Sequence, residues 1–243
     1  SRLAWYIQIS DTHVDSVIPG WTEAVPRLNW VLTDVVSTVQ PDFIVATGDL
    51  TDGTEGVFYA GPYDNEWQLY RSTVLNTGIS APDYYFDLPG NHDAYGDNGL
   101  TRFQMWSIQG PYNQSTQTGW RLDRPWGSLC FFALATATNN GKPWPADDSE
   151  LVEAELAQFE DFTLGNDTCL QWVVFGHHDY AAVEGSDGFR SVAAEAGIVR
   201  YAHGHNHDYK TTIGDDGILR LRIDSLGHAT NNNVVIHAFD DEA

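Results

Sequence analysis

Five short islands carry the side chains that could do chemistry: Asp11-Thr-His13, Gly48-Asp49, Gly90-Asn91-His92-Asp93, Gly176-His177 and Gly204-His205-Asn-His207. Each follows an apolar stretch that reads as a β-strand. Together they offer seven donor side chains: Asp11, His13, Asp49, Asn91, His177, His205 and His207. Carboxylate, amide and imidazole groups in that number are about what two multivalent cations require.

The islands differ in strength. Asp11 and His13 stand two residues apart, and in extended backbone both side chains would point the same way, toward one cation. Taken alone, the pair reads first as a surface carboxylate beside an unrelated imidazole. Asp49 follows Phe43-Ile-Val-Ala-Thr-Gly48, and its two oxygens suit a bridge between cations, although Gly-Asp turns are common. Asn91 brings an amide oxygen without charge. His92 could donate a proton to a leaving oxygen, with Asp93 holding its ring. The same four residues also suit a polar turn with capping roles for Asn and Asp. His177 directly follows a glycine at the mouth of an apolar strand, where open α/β sheets place their sites. His178 reads as supporting or exposed. His203, His205 and His207 are three imidazoles in five residues, a costly arrangement to bury without a purpose. Of these, His205 and His207 fit chelation best, and His203 supports the strand. His228 and His237 lie outside any cluster.

These residues need elements to position them. Strands are expected at 3–10, 43–46, 84–88 and 170–175, with apolar residues on both faces as in buried sheets. Helices are expected at 22–39, ending before Pro41, and at 65–79, 100–108, 149–162 and 189–196. Acidic Asp147, Asp148 and Glu150 suit the start of the helix at 149–162. A hairpin over 120–137 turns near Pro125-Trp-Gly127. Four strands should close the chain, at 198–203, 207–213, 218–224 and 233–239. Alternating βα units with a strand-rich tail imply an α/β fold of sheets covered by helices. No repeat or linker divides the chain, so residues 1–243 read as one domain.

The 243 residues can bury a sizeable core, and 42% are hydrophobic. With 12 Lys+Arg against 34 Asp+Glu, the formal net charge is -22. Such a surface repels nucleic acid and anionic membranes, so a small substrate is expected and no nucleic acid partner. No apolar run is long enough to cross a bilayer, and no secretory leader is visible before the first strand. Cys130 and Cys169 read first as buried thiols. A disulfide is open to them if their strands are neighbours, and that would mean an oxidising compartment. Asn113-Gln-Ser115 and Asn166-Asp-Thr168 match a glycosylation pattern that is frequent by chance. The compartment stays open, with an extracytoplasmic one, secreted or periplasmic, favoured.

The order Asp-x-His, Gly-Asp, Gly-Asn-His-Asp, Gly-His and Gly-His-x-His, spread over residues 11 to 207, resembles the calcineurin-like metallophosphoesterases. That resemblance implies two mixed β-sheets packed face to face and flanked by α-helices. It implies two divalent or trivalent metal ions, of Mn, Fe, Zn or Co. Asp11, His13, Asp49 and His207 would surround one. Asp49, Asn91, His177 and His205 would surround the other. His92 would be the acid, oriented by Asp93, and the substrate a small phosphate mono- or diester. A narrower likeness, to the phosphoesterase domain of transmembrane-protein-62-like proteins, runs through Gly48-Asp-Leu-Thr-Asp52, Glu66-Trp-Gln-Leu-Tyr70 and Leu88-Pro-Gly-Asn-His-Asp93. The Arg-bearing extension of serine/threonine protein phosphatases is missing, and Asp179 replaces the proline frequent after Gly-His. The rival expectation is a catalytically silent metal-binding or scaffold domain of the same fold.

Overall fold

The computed structural model describes residues 3–15, 23–55, 58–59, 63–79, 83–97, 99–137, 153–184, 188–227 and 233–240. Two mixed sheets form its centre. The first runs β12-β1-β2-β5 (Val235–Asp240, Leu3–Ile9, Phe43–Thr47, Tyr85–Leu88), with β1, β2 and β5 parallel and β12 antiparallel at the edge. The second runs β10-β11-β9-β8-β7-β6 (Lys210–Ile213, Leu219–Arg222, Ile198–His203, Gln171–Phe175, Gly127–Ala133, Thr118–Arg124). In it β11, β9, β8 and β7 are parallel, and the outer strands β10 and β6 are antiparallel. A two-stranded ribbon, β3 (Thr54–Glu55) with β4 (Phe58–Tyr59), lies apart from both.

Strand periodicity sorts the side chains into three apolar layers. Ala4, Tyr6, Phe43, Val45 and Phe86 face Leu129, Phe131, Val173 and Phe175 across the space between the sheets. Here aromatic rings pack edge-on and in parallel, as with Tyr6 on Phe43 at 4.7 Å. The alternate residues Ile7, Ile9, Ile44 and Ala46 turn outward against helices. Those helices are α1 (Ala24–Trp30), which continues through a π turn at Val31–Val35 into α2 (Val36–Val39), and α3 (Asp64–Asn76) and α5 (Thr101–Trp106). On the far side Phe132, Trp172, Val174 and Tyr201 pack under α7 (Glu153–Leu164), α8 (Tyr180–Glu184) and α9 (Phe189–Ala196). The result is two mixed sheets face to face, flanked by helices, because the central strands β1, β2, β7 and β8 are apolar on both faces.

Several expectations shift. The helix foreseen at 22–39 is described from Ala24, and Gln40 ends it in the left-handed region at φ 52°. The acidic residues foreseen at the start of α7 lie outside the described residues, as does His228. The strand expected at 207–213 begins only at Lys210, since His207 is held in a loop. Short helical turns at α4 (Asn91–Ala94) and α6 (Gly110–Asn113) were not legible. Cys130 on β7 and Cys169, just before β8, form a disulfide, so the reading as free thiols is overturned. The pairing follows from strand order, since β7 and β8 are hydrogen-bonded neighbours.

Candidate metal centre

All five islands sit at the C-terminal ends of parallel strands: Asp11 after β1, Asp49 after β2, Asn91 after β5, His177 after β8 and His205 after β9. The two sheets point these ends to one place, as ligand sites in α/β proteins require. The backbone there is unusual. Of eight non-glycine residues at positive φ among those described, five are expected ligands: Asp11 (51°), His13 (44°), Asp49 (48°), His205 (75°) and His207 (52°). Each such conformation costs about 1–3 kcal/mol and persists where surroundings over-determine it. The surroundings here are distant segments. Asp11 N–H donates to Gly48 O and His13 N–H to Asp49 O, both at 2.9 Å. Leu226 and Gly227 donate to the carbonyls of Ser10 and Asp11, also at 2.9 Å. The expected extended alternation of Asp11 and His13 is therefore corrected. They converge through left-handed turns and not through a strand face.

Glycines admit the close approach. A side chain on Gly90 would collide with the amide and carboxylate of Asp49, and one on Gly48 would enter the ring of His177.

The structure brings all seven expected ligands together. Asp11, His13, Asp49 and His207 offer donor atoms within 4.8 Å of one another. His207 Nε2 lies 3.1 Å from Asp11 Oδ1 and 3.2 Å from His13 Nε2. A second set gathers around Asn91. Its Oδ1 lies 2.9 Å from His177 Nε2 and 3.1 Å from His205 Nδ1. Asp49 Oδ2 joins the sets, 3.2 Å from His177 Nε2 and 3.7 Å from His13 Nε2.

Outer contacts aim these donors. Asn91 Nδ2 donates to the hydroxyl of Tyr95 at 2.7 Å, which turns Oδ1 inward. His177 Nδ1 lies 2.9 Å from the carbonyl oxygen of Thr47, which can only accept, so Nε2 is the nitrogen turned inward, where a cation would take the place of a proton. His13 Nδ1 likewise faces Asp52 Oδ1 at 3.0 Å. Anchored rings with inward nitrogens, buried carboxylates and an inward amide oxygen are a donor set that fits borderline cations of the Mn, Fe, Zn or Co type.

Electrostatics agree. Burial opposes charge on Asp11, but the hydrogen bond of His207 and the charge of His177 hold its carboxyl at about 2. Burial also opposes charge on Asp49, yet His177 and His92 keep it well below the usual range. Burial works against protonating His177, and Asp49 reverses this, raising it to about 10. Two ionised carboxylates in a buried site make it strongly attractive to positive charge.

His92 sits at the rim with its side chain 15% exposed. Its Nδ1 lies 2.7 Å from the main-chain oxygen of Asp52, so Nε2 is the nitrogen turned away from Asp52. The expectation that Asp93 holds this ring is corrected. Asp93 occupies the third position of α4, where its Oδ2 accepts the N–H of Gly90 at 2.9 Å. It also accepts from Leu50 N at 3.0 Å, and from Thr51 N at 2.9 Å and Thr51 Oγ1 at 3.0 Å. Asp93 therefore fastens the Asp49 loop to α4. Asp52 takes the role foreseen for it. The signal was present, a second carboxylate three residues after Asp49. His178 is buried, not exposed. Its Nδ1 lies 3.0 Å from Thr136 Oγ1, and a nitrogen of its ring belongs with those of His177 and His205 in a third close group. His203 faces away from the cluster, into the outer layer beside Tyr201.

Fold and site together have the form of the calcineurin-like phosphoesterase family. The calcineurin-like phosphoesterase family profile matches residues 5–209, and the chain belongs to that family. Transmembrane protein 62 of Mus musculus is 25% identical over 218 residues, which are 85% of this chain and 32% of that protein. The chain thus spans about a third of the length of this relative. A dimetal phosphatase from Danio rerio shares the fold at TM-score 0.69 and 10% identity, over 93% of this chain and 89% of its own. GAP50, the anchor in the inner membrane complex of Plasmodium, does so at TM-score 0.59 and 12% identity, over 98% and 81%. No helix among the described residues is long and apolar enough to cross a membrane.

Proposed function

We propose that this chain hydrolyses a small phosphate ester at a two-cation centre. Asp11, His13, Asp49 and His207 hold one cation, and Asp49, Asn91, His177 and His205 the other. The observation that carries the reading is the place of Asp49 Oδ2, within 3.2 Å of His177 and 3.7 Å of His13, one from each set. Bound there, cations would supply Lewis acidity toward the phosphoryl oxygens and lower the pKa of an attacking water. The protein's own groups do the rest. Asp52 fixes the hydrogen of His92 on Nδ1. A protonated Nε2 then stands at the rim to give a proton to the leaving oxygen. The net charge of -22 favours a compact ester over a polyanion. The Cys130–Cys169 disulfide supports an oxidising compartment.

A non-catalytic scaffold is the second reading, favoured by the likeness to GAP50, the anchor in the inner membrane complex of Plasmodium. Assays of metal-loaded protein on nitrophenyl phosphate mono- and diesters separate the two, with Asp49→Asn as control. The expected result is metal-dependent turnover that Asp49→Asn abolishes. Full metal-dependent turnover in that variant overturns the assignment.

A further inference from the structure

The connections that carry His177 and His205 also wall a separate cavity of about 150 Å³ on the outer face of the six-stranded sheet. Asp179, Tyr180, His203, Lys210, Arg220 and Arg222 line it. Register explains the grouping. His203 pairs with Arg222, and Arg222 with Lys210, so an imidazole and two cationic side chains stand in one row across β9, β11 and β10. Arg220 and Thr212 face each other in the next row of the same face. Three of the chain's 12 Lys+Arg thus meet at one small cavity in a protein of net charge -22.

The cations are held differently. Arg222 is paired with Asp208. Arg220 lies 2.8 Å from Asp216 and 4.1 Å above the ring of Tyr180. These contacts fix the guanidinium planes at the wall of the cavity. Lys210 has no carboxylate partner among the described residues. His203 is 4% exposed and gives its Nδ1 hydrogen to the carbonyl of Gly204 at 3.1 Å, so its ring closes the wall and adds no donor to the cavity. Only one lining residue, Asp179, is acidic. Planar forks, an ammonium and a hydroxyl on one wall are the donors that recognise an oxyanion. A volume of about 150 Å³ suits one such group.

We propose that this cavity is an anion subsite that takes a carboxylate or a second phosphate on the substrate's leaving group. The preferred ester then carries two anionic ends, one at the metal centre and one at Lys210. This substrate class rests on the phosphoesterase reading above. Its walls are continuous in sequence with the candidate ligands: Asp179 follows His178, and Lys210 stands three residues after His207.

The test compares kcat/KM for ω-phosphorylated carboxylates of graded chain length, for the matching alkanediol bisphosphates, and for alkyl phosphates of equal length. Wild type should prefer one of the two doubly anionic series at one length, and the better series tells carboxylate from phosphate. Lys210→Ala should lower kcat/KM about 10–100-fold on that substrate, as loss of a charge-assisted hydrogen bond does. Lys210→Arg should restore most of it. Both variants should leave nitrophenyl phosphate turnover unchanged. A second measurement does not need turnover: calorimetric binding of malonate to Asp49→Asn protein, expected to vanish on adding Lys210→Ala. Turnover of alkyl phosphates with no preference for doubly anionic esters overturns the subsite alone. So does an equal loss on every substrate in Lys210→Ala. Malonate binding that depends on Lys210, with no ester hydrolysed by wild type, overturns the phosphoesterase reading and keeps the anion site.

Discussion

The main-chain oxygen of Asp52 accepts the Nδ1 hydrogen of His92 at 2.7 Å. The carboxylate of the same residue lies 3.0 Å from Nδ1 of His13. One fully buried residue thus sets the tautomer of a candidate ligand and of the candidate proton donor. Asp52→Asn keeps the shape and the main-chain carbonyl but removes the charge behind His13. Cation affinity should fall about 10–100-fold, the usual effect of losing an outer-shell carboxylate. At saturating metal, most of the turnover should return, because the carbonyl still holds His92. Metal titration followed by kcat/KM at several metal concentrations reads both parts. Unchanged affinity would show that His13 needs no carboxylate partner.

His92 contributes through its rim-facing Nε2, so His92→Ala should leave metal content intact. Hydrolysis should slow about 10²–10⁴-fold for esters with poor leaving groups, the range of a lost general acid. The loss should shrink for nitrophenyl esters, whose leaving oxygen needs little help from a proton. A series of aryl and alkyl phosphates gives the dependence on leaving-group pKa. An equal loss across the series rules out the acid role.

The islands were legible because each is local: a polar cluster after an apolar strand, identifiable from a few residues. Their chain order carried the family resemblance, and with it the sorting of Asp49 into both sets. What escaped was whatever depends on a distant segment. Asp11 and His13 sit at φ 51° and 44° because Gly48, Asp49 and Gly227 bond their backbone from other parts of the chain. Asp93 looked like the partner of its neighbour His92. Side chains adjacent in a helical turn diverge, and the N–H groups of Leu50, Thr51 and Gly90 were the nearer donors. The disulfide needed the strand order, which sets β7, carrying Cys130, beside β8, which Cys169 precedes. The three-layer fold was readable in strands that are apolar on both faces. The loop at 205–209 was not, since its alternating pattern imitates a strand.

Asp93 is a structural fastener, and its removal should unfold the site before it alters chemistry. Burial and the charge of Asp49 push its carboxyl up to about 7, against the pull of the N–H groups of Gly90, Thr51 and Leu50. Asp93→Ala leaves three buried N–H groups and one hydroxyl without their acceptor. Each such group costs about 1–3 kcal/mol when water cannot reach it, and partial relaxation should bring the total to about 3–5 kcal/mol. Asp93→Asn keeps one acceptor oxygen and should cost less. Urea denaturation of both variants, with metal content measured on the folded fraction, checks this. A stable Asp93→Ala protein that binds metal but fails on poor leaving groups would return Asp93 to the role of orienting His92.

Stability should also depend on His237, which lies between the sheets, away from the candidate ligands. Its ring stacks on Tyr6 at 4.3 Å, Arg200 donates to its Nδ1 at 2.9 Å, and its Nε2 donates to Gln8 at 3.0 Å. A neutral ring satisfies both partners. A second proton on Nδ1 would face the guanidinium of Arg200. Burial, and then the charge of Arg200, accordingly hold the imidazole well below its ordinary value. The unfolded chain takes up this proton near pH 6.5 and the folded chain does not. The contribution is therefore present above about pH 6.5 and is lost as pH falls toward the folded value, at up to about 1.4 kcal/mol per pH unit. His237→Phe keeps the stack on Tyr6 and removes the titration, at some cost from the stranded Gln8 and Arg200. Urea unfolding of metal-loaded protein from pH 7.5 to 5 should show wild type losing stability faster than His237→Phe below about pH 6.5. Parallel pH profiles for the two proteins would mean that His237 is protonated in the fold, and that the Arg200 contact is not the one described.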